Sequence, residues 1–289
     1  MLGAPATRAQ NADRPLARRS RAVGKTTAGG IFVLFVCALS LLPVIVVYGA
    51  AFTNGHFFTF PPQGLSFKWL DAAIHNAQFT SALVNDVIVS ALATILSCAL
   101  GLLAAYGVIR GRGPRVLAPL VEVTLISPLL VPGIIVGFGA TLVLPHLGLI
   151  SSLPSLVVML AVITLPYSIR SLTASLAGIP DSIEEAAQTL GASRSRTVLS
   201  VIVPMMIPGF VSAAVFAFVL AFDNVTVSLW LTGPSFNVIP IWLFSYVQAS
   251  SSALPAAAGA IAATINLVGL GIFSLFGGLR QLVGGSVIS

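Results

Sequence analysis

The sequence predicts an all-α membrane protein with six transmembrane helices and with both termini in the cytoplasm. Composition is the first reason, because 57% of the 289 residues are hydrophobic and only 8% are charged, whereas a soluble domain carries about 25% charged residues. Length is the second reason, because a spanning helix needs roughly 20 mainly apolar residues and the chain contains several such runs. The third reason is that Lys and Arg are distributed unevenly among the loops between these runs.

The apolar runs predict where the chain crosses the membrane. The first run, GGIFVLFVCALSLLPVIVVYGAAF, carries no charge. The third contains Pro119, Pro128 and Pro132, so we expect it to be kinked, with neighbouring helices or cavity water satisfying the freed backbone groups. The fourth run is short, and the fifth and sixth are long. The predicted spans are residues 29–52, 79–109, 116–144, 153–170, 203–231 and 255–279.

The basic residues predict the orientation of these spans, because Lys and Arg accumulate on the cytoplasmic side. Of the 14 Lys and Arg residues, only Lys68 falls in the first, third or fifth loop. Residues 1–28 are therefore predicted to be a basic cytoplasmic tail, and residues 29–289 one membrane domain. The net charge of +6 is explained by this topology, and no nucleic-acid partner is expected.

The fourth loop, residues 171–202, is long, faces the cytoplasm in this topology, and has helix-forming chemistry. It holds three of the eight acidic residues: Asp181, Glu184 and Glu185. Pro180 precedes the predicted helix start. We expect Asp181 to cap the free N–H groups and Glu184 to reach back to the start of the helix, as in a capping box.

The second half of this loop predicts a bend and another helix. Gly191 is expected to end the first helix, because glycine tolerates the left-handed conformation that follows many helices. A second helix is expected near Ser193, with Arg194 in its first turn, and Pro204 and Pro208 mark the return into the bilayer. The loop is then either a rigid knob that a partner contacts or a polar connection between two spans.

One motif favours the knob. The loop contains Glu-Ala-Ala at 185–187, then three residues, Gly191, nine residues, and Val-Ile-Val-Pro at 201–204. This spacing resembles the EAA loop of binding-protein-dependent ABC importer permeases, whose pattern is Glu-Ala-Ala, three residues, Gly, nine residues, Ile-x-Leu-Pro. The departures, Val201 for Ile and Val203 for Leu, are conservative.

The resemblance implies an ABC importer type I permease bundle in the bacterial inner membrane, with no catalytic activity of its own. The implied partners are cytoplasmic ATPase subunits, expected to be two, a second and different permease chain, a periplasmic or lipid-anchored substrate-binding protein, and membrane lipid. In this family MgATP binds to the ATPase, and no cofactor or metal is expected on this chain.

The resemblance also implies a role for each residue of the loop. The EAA helix sits in a groove of the ATPase, where Glu185 offers charge, Ala186 and Ala187 permit close approach, and Gly191 sets the bend. ATP-driven closure of the ATPase pair then moves the two permease knobs together and switches the pathway from inward-facing to outward-facing. The other residues of the implied coupling site are Asp181, Glu184, Arg194 and Pro204.

A softer resemblance concerns the substrate. The runs FPPQGLSFKW, LGLLAAYGVIR, LPYSIRSL and AFDNVTVSLWLTGP resemble the second permease of polyamine-type importers. The chain departs from relatives at Asp223-Asn224, where an acidic pair is frequent, and at Asn85-Asp86, where Asn-Ser is frequent. The resemblance implies a polyamine, while other small amines, amino-acid derivatives and opines stay open.

Carboxylates within predicted spans are candidates for the substrate pathway, because such charges are costly and usually face the bundle interior. Asp86 and Glu122 lie near predicted span ends, where an interfacial position also explains them. Asp223 lies deeper, beside Asn224, and is either satisfied by neighbouring helices or attracts cations on the pathway. These four residues form the candidate pathway set.

The main alternative function is a secondary transporter or channel that works alone. Such proteins often contain internal repeats with broken helices at matched positions, and the sequence has no convincing repeat. A membrane enzyme is disfavoured because no catalytic constellation is present. Gly24-Lys25 resembles the end of a phosphate-binding loop, but Arg19 stands where that motif requires glycine, so ATP hydrolysis is assigned to another chain.

Overall fold

The computed structural model shows an almost entirely helical chain over the residues it describes. These are residues 16–57, 61–111, 123, 127–149, 152–233 and 235–275, and of residues 16–29, 129 and 273–275 only the backbone is described. Extended pairing within these ranges is limited to isolated bridges, such as that between Phe57 and Ser252.

The helices are numbered here in chain order. Short 3-10 turns, Ser127–Leu129 and Leu144–Leu147, flank the fourth helix. The helices are α1 Leu16–Ala51, α2 Lys68–Ile74, α3 Ala77–Arg110, α4 Gly133–Val143, α5 Leu153–Ala177, α6 Asp181–Thr189, α7 Arg194–Met205, α8 Ile207–Phe222, α9 Val225–Leu231, α10 Ile239–Ala249 and α11 Leu254–Leu275.

Several of these helices are long and apolar enough to cross a membrane. In the described part of the chain there are four such helices: residues 30–51 of α1, all of α3, all of α5, and residues 254–272 of α11. The α7–α8 pair passes the same criterion together but is bent by 70°. The predicted third span lies partly outside the described residues, so the count of six spans and the cytoplasmic termini stay predictions.

Three predicted boundaries differ from the structure. α1 begins at Leu16, so part of the predicted tail is helical; its Ala and Arg residues are good helix formers. α5 continues to Ala177 rather than ending near residue 170, because a helix need not stop where hydropathy falls. The predicted fifth span, 203–231, is not one helix, because α8 ends at Phe222 and α9 begins at Val225.

The helices α3, α5 and α8 pack into a three-helix core through small residues. A methyl group added at Gly101 of α3 would lie 3.0 Å from the Ser168 Cβ of α5. One added at Gly209 of α8 would overlap the Ser175 side chain. Ser97 and Ser168 share a buried hydrogen bond of 2.8 Å. Such close approach is typical of membrane helix packing.

The remaining helices pack around this core in two groups. α4 lies against α9, where a methyl group at Gly137 would lie 2.6 Å from Trp230 Cδ1. α1 and α2 pack against α11. α10 contacts α3, α9 and α11, and the side chains of Ile239 and Trp242 at its start are buried. α10 therefore connects the three-helix core, through α3, with the outer helices α9 and α11.

Candidate functional site

α6 carries the Glu-Ala-Ala motif, and its two ends are defined by local chemistry. Pro180, with φ −60°, precedes the first helical residue. Gly191 follows the last turn with φ +90°, a conformation that favours glycine. The N–H groups of Gly191 and Ala192 donate to the carbonyls of Gln188 (2.9 Å) and Ala187 (3.1 Å). This is the Schellman pattern of helix termination, so the predicted helix end at Gly191 is confirmed.

The second helix also begins where the sequence predicts it. The Ser193 hydroxyl accepts from the Arg196 N–H at 3.4 Å and caps α7, which begins at Arg194. A π-helical turn occupies Val198–Ile202. The 70° bend before α8 lies between Pro204 and Pro208, as expected for residues that interrupt helical hydrogen bonding. The two helices and the glycine between them form the predicted knob.

The predicted capping box is absent, and its two acids have other partners. Pro180 occupies the cap position without a side-chain hydrogen bond. Asp181 forms an ion pair with Arg110, the last residue of α3. Glu184 is buried and accepts a hydrogen bond of 2.5 Å from the Tyr106 hydroxyl. The prediction was wrong because it considered only nearby backbone groups, whereas the stronger partners come from a distant helix.

Arg110 is the centre of this contact, which we name the α3–α6 junction: Tyr106, Arg110, Asp181, Glu184 and Arg194. Only 11% of the Arg110 side chain is exposed, and its Nε lies 3.6 Å from Glu184 Oε2. The guanidinium also donates to the Ile179 carbonyl at 2.6 Å. In the sequence, Arg110 is one of the 13 Lys and Arg residues other than Lys68 that predict the orientation of the spans, and Tyr106 has no predicted role. Both lie in the last turns of α3, on the predicted side of the membrane that also holds the motif loop, and this shared side was the available signal.

Arg194 completes the junction from the exposed side. Its Nε donates to the Tyr106 hydroxyl at 3.5 Å, and its guanidinium lies 5.8 Å from the centre of the Tyr106 ring. The hydrogen bond to this hydroxyl raises the pKa of the Arg194 guanidinium above its ordinary value. Arg194 therefore supports α7 against α3.

The opposite face of α6 is exposed. Glu185 and Ala186 face away from the bundle, while Ala187 is half-buried. Leu190, just before the bend, is 89% exposed. The structure thus separates the acids of this loop: Asp181 and Glu184 hold the helix to α3, and Glu185 stands on the free surface next to an exposed apolar side chain.

A cavity of about 820 Å³ opens at the other end of the molecule, between α1, α10, α11 and the break between α8 and α9. Its walls are mainly apolar, including Val47, Leu243 and Phe244. Asp223 is the one ionisable side chain among the described residues that line it. Gln248 and the serines at 250–252 supply polar groups at one edge.

Asp223 and Asn224 lie at the break between α8 and α9, and their side chains have different surroundings. Asp223 follows the last residue of α8 and is exposed to the cavity. Asn224 caps α9, since its Oδ1 accepts from the Val227 N–H at 3.0 Å and from the Thr226 hydroxyl at 3.4 Å. Of this predicted pair, the Asn224 oxygen is used inside the fold and the Asp223 carboxylate is available.

Asp86, another predicted pathway acid, is not among the residues that line the cavity. Asp86 is only 1% exposed, accepts from the backbone N–H of Ile239, and lies within electrostatic reach of Asp223. One of its carboxylate oxygens has no hydrogen-bond partner among the described residues. Its neighbour Asn85 donates to the Asn237 carbonyl at 3.0 Å. Glu122 lies outside the described residues.

Comparison with known proteins matches the chain to a family over residues 97–278, as a binding-protein-dependent transport system inner membrane component. It is 26% identical over 246 residues to the spermidine/putrescine transport system permease protein PotC of Escherichia coli (strain K12), covering 85% of this chain and 92% of PotC. It is 28% identical over 240 residues to the trehalose transport system permease protein SugB of Mycobacterium tuberculosis (strain CDC 1551 / Oshkosh), covering 82% and 84% of the two chains.

The fold is shared with a crystal structure of a bacterial alginate ABC transporter in complex with alginate pentasaccharide-bound periplasmic protein. The TM-score is 0.69 at 15% sequence identity, over 96% of this chain and all of the other. The family match extends from the middle of α3 through the α6 knob into the last helix. In this family ATP hydrolysis resides on a separate chain. This protein therefore belongs to the inner membrane components of binding-protein-dependent transport systems, as a multi-pass permease subunit of an ABC importer.

Proposed function

We propose that this permease imports a small amine, with a polyamine as the first substrate to test. The observation that carries the proposal is the composition of the cavity wall, which is mainly apolar and contains one carboxylate, Asp223, among the described residues. A polyamine consists of methylene segments that separate ammonium groups. The apolar wall suits the methylene segments, and the carboxylate suits an ammonium group.

The position of Asp223 strengthens its attraction for cations. It directly follows α8, whose C-terminal end carries a partial negative charge, and the N-terminal end of the shorter α9, which begins at Val225, offsets only part of this charge. Water is partly excluded by the apolar wall, and a charge pair is stronger where the effective dielectric constant is lower. The similarity to PotC, a spermidine/putrescine permease by name, supports the same substrate class.

A sugar is the second candidate substrate, because SugB is a trehalose permease by name. Gln248 and the serines at 250–252 offer hydrogen-bonding groups that hydroxyls could use. A sugar does not require a carboxylate at Asp223, however, and leaves its charge without a counter-ion. The role of this charge therefore distinguishes the two candidates.

We also propose that the exposed face of α6 is the docking surface for an ATPase subunit. Glu185 supplies a charge, Ala186 lets a groove approach the backbone, and Leu190, 89% exposed, supplies an apolar anchor. Two ATPase subunits hold the MgATP, and a second, different permease chain presents its own knob. A substrate-binding protein delivers the amine from outside, and ATP binding switches the pathway between its two orientations.

The test is reconstitution of this chain with an ATPase, a second permease and a substrate-binding protein from the same organism. The complex is placed in proteoliposomes, and uptake of radiolabelled spermidine is measured with and without ATP, in competition with unlabelled putrescine or trehalose. We expect ATP-dependent uptake that putrescine inhibits. Uptake that trehalose alone inhibits would contradict the amine proposal, and uptake without ATP or the ATPase would support a transporter or channel that works alone.

A further inference from the structure

The α3–α6 junction binds the coupling knob to a helix that is not its neighbour in the chain. Arg110 contacts Asp181, Glu184 and the Ile179 carbonyl, so one side chain holds both the start of α6 and the residue before Pro180. The Tyr106 hydroxyl binds the same Glu184. Because several contacts join α6 to the end of α3, α6 is restrained from rotating against α3 as well as from moving away from it.

Burial makes this junction resistant to opening. The Arg110 and Glu184 side chains are each 11% exposed. Separating a buried ion pair leaves each charge without its partner in a poorly solvated place. An apolar cluster that includes Ala105, Leu172 and Ile179 lies beside it, with Ile183 of α6 packed against this cluster. α6 is therefore fastened to the end of α3 by both polar and apolar contacts.

The other end of α3 contacts the helix that lines the cavity. Asn85 donates to the Asn237 carbonyl at 3.0 Å, and Asp86 accepts from the Ile239 N–H at the start of α10. The rings of Phe79 and Trp242 are 5.3 Å apart. Pro240, Leu243 and Phe244 of α10 line the cavity. α3 thus contacts the knob at one end and the cavity wall at the other.

The alternative routes from the knob to the cavity are interrupted or do not reach the cavity wall. The route that follows the chain forward passes a π-helical turn at Val198–Ile202, a 70° bend before Ile207, and the break at Asp223. The route backward enters α5, a continuous helix that contributes no residue to the cavity wall. α3 has 34 residues and no proline, and from Asn85 to Arg110 it extends roughly 37 Å at the usual rise of about 1.5 Å per residue.

We propose that α3 is the rigid rod that carries movement of the α6 knob to the cavity wall, and that Arg110 and Tyr106 are the positioning residues that fix the knob to it. This inference rests on the proposed function, in which an ATPase moves α6. According to this inference, the knob and α3 move together as one body when nucleotide binds to the ATPase. The bend before α8 then absorbs the change in direction between the knob and the rest of the chain.

The test is the distance between two spin labels in the complete complex, measured by pulsed electron resonance without nucleotide and with trapped ATP and vanadate. Cys37 and Cys98 are first replaced by Ala. Labels are then attached through Val84→Cys on α3, where the side chain is 56% exposed, and Thr189→Cys on the exposed face of α6. We expect the same distance distribution in both nucleotide states. If the distance between the labels changes with nucleotide in the chain whose junction is unmodified, α3 and the knob do not move as one body, and the proposal is wrong.

Variants then test whether the junction causes this rigidity. Tyr106→Phe removes only the hydroxyl that binds Glu184, and Glu184→Gln removes the charge while keeping the shape. In each, we expect the label distance to broaden and to shift between nucleotide states, although the ATPase still co-purifies. Tyr167→Phe is the matched control, because the Tyr167 hydroxyl has no hydrogen bond among the contacts seen in the described residues, and it should leave the distribution unchanged.

Two outcomes separate this inference from the proposed function. Failure of an ATPase to co-purify with the unmodified chain would overturn both proposals. Co-purification together with junction variants that behave as the Tyr167→Phe control would overturn the role of Arg110 and Tyr106 alone. The distance measurement needs no transported substrate, so a wrong substrate assignment does not affect it.

Discussion

The knob and the cavity both depend on carboxylates, and they use them in opposite ways. At the knob, Asp181 and Glu184 are bound to Arg110 and Tyr106, and these contacts hold α6 against the end of α3. At the cavity, the Asp223 carboxylate lies at a break in the chain and faces open space. Paired charges here keep two helices together, whereas the charge exposed to the cavity is available to a ligand.

The largest effect should come from breaking the paired site. Arg110→Ala leaves Glu184 buried without its cation, and we expect the free energy of unfolding to fall by roughly 3 kcal/mol, as for other broken buried pairs. Chemical denaturation of the purified chain in detergent measures this. Arg196→Ala, at an exposed position nearby, is the control and should change it by less than about 0.5 kcal/mol. Equal effects of the two variants would show that the junction does not stabilise the fold.

At the cavity, we expect loss of the Asp223 charge to reduce uptake and to leave the stability of the fold almost unchanged. Asp223→Asn keeps the shape and removes the charge, so we expect the unfolding free energy to stay within about 0.5 kcal/mol. Spermidine uptake in the proteoliposomes should fall by about tenfold or more, since a hydrogen bond to a charged group contributes roughly 1.5–3 kcal/mol. Gln248→Ala, at the polar edge of the same cavity, should have a smaller effect. Unchanged uptake by Asp223→Asn would remove the argument for an amine.

The bend of the knob can be tested without touching any charge. Gly191 has φ +90°, and a methyl group added there would have no heavy atom within 4 Å beyond its immediate chain neighbours. Gly191→Ala therefore adds backbone strain of about 1–2 kcal/mol and no clash. We expect weaker co-purification of the ATPase. Gly178→Ala is the control, because Gly178 has φ −75°, and retention of the ATPase should match that of the unmodified chain.

The smallest effect concerns the cap at the cavity. Asn224→Ala removes the acceptor for the Val227 N–H and should cost about 1 kcal/mol of stability. Asn224→Asp keeps the cap and adds a second carboxylate beside Asp223, so stability should be retained while inhibition of uptake by putrescine becomes stronger. Thermal unfolding and competition uptake measure the two quantities. If Asn224→Ala loses no stability, the hydrogen bond from the Val227 N–H to Asn224 does not stabilise the fold.

Local signals predicted the knob well because they act within one helical turn. Pro180, Gly191 and Ser193 define the ends of α6 and α7 through backbone geometry and nearby hydrogen bonds, which neighbouring residues determine. The capping box failed at the same place, since Asp181 and Glu184 had acceptable local roles but stronger partners elsewhere. A pattern of residues within the loop contains no information about a guanidinium that arrives from another helix.

At the cavity, the sequence indicated the unusual pair Asp223-Asn224 but not the helix break at which the pair lies. The pair Asp223-Asn224 could be singled out from the sequence as unusual in an apolar span, because a charge in the membrane is costly wherever it lies. Asn224 was grouped with Asp223, although the structure uses its oxygen to cap α9. A span of apolar residues does not reveal where its helix breaks, since a break depends on neighbours that accept the freed backbone groups.

Membrane residence, the loop with the EAA motif and the ends of the α6 knob follow from the order of residues alone, because the bilayer and the backbone act on each segment separately. The identity of the partners of each charge, the break in the fifth predicted span and the connection of the knob to the cavity through α3 depend on packing. These features join residues such as Arg110 and Glu184 that are far apart in the chain, and only the folded arrangement of the helices brings them within contact distance.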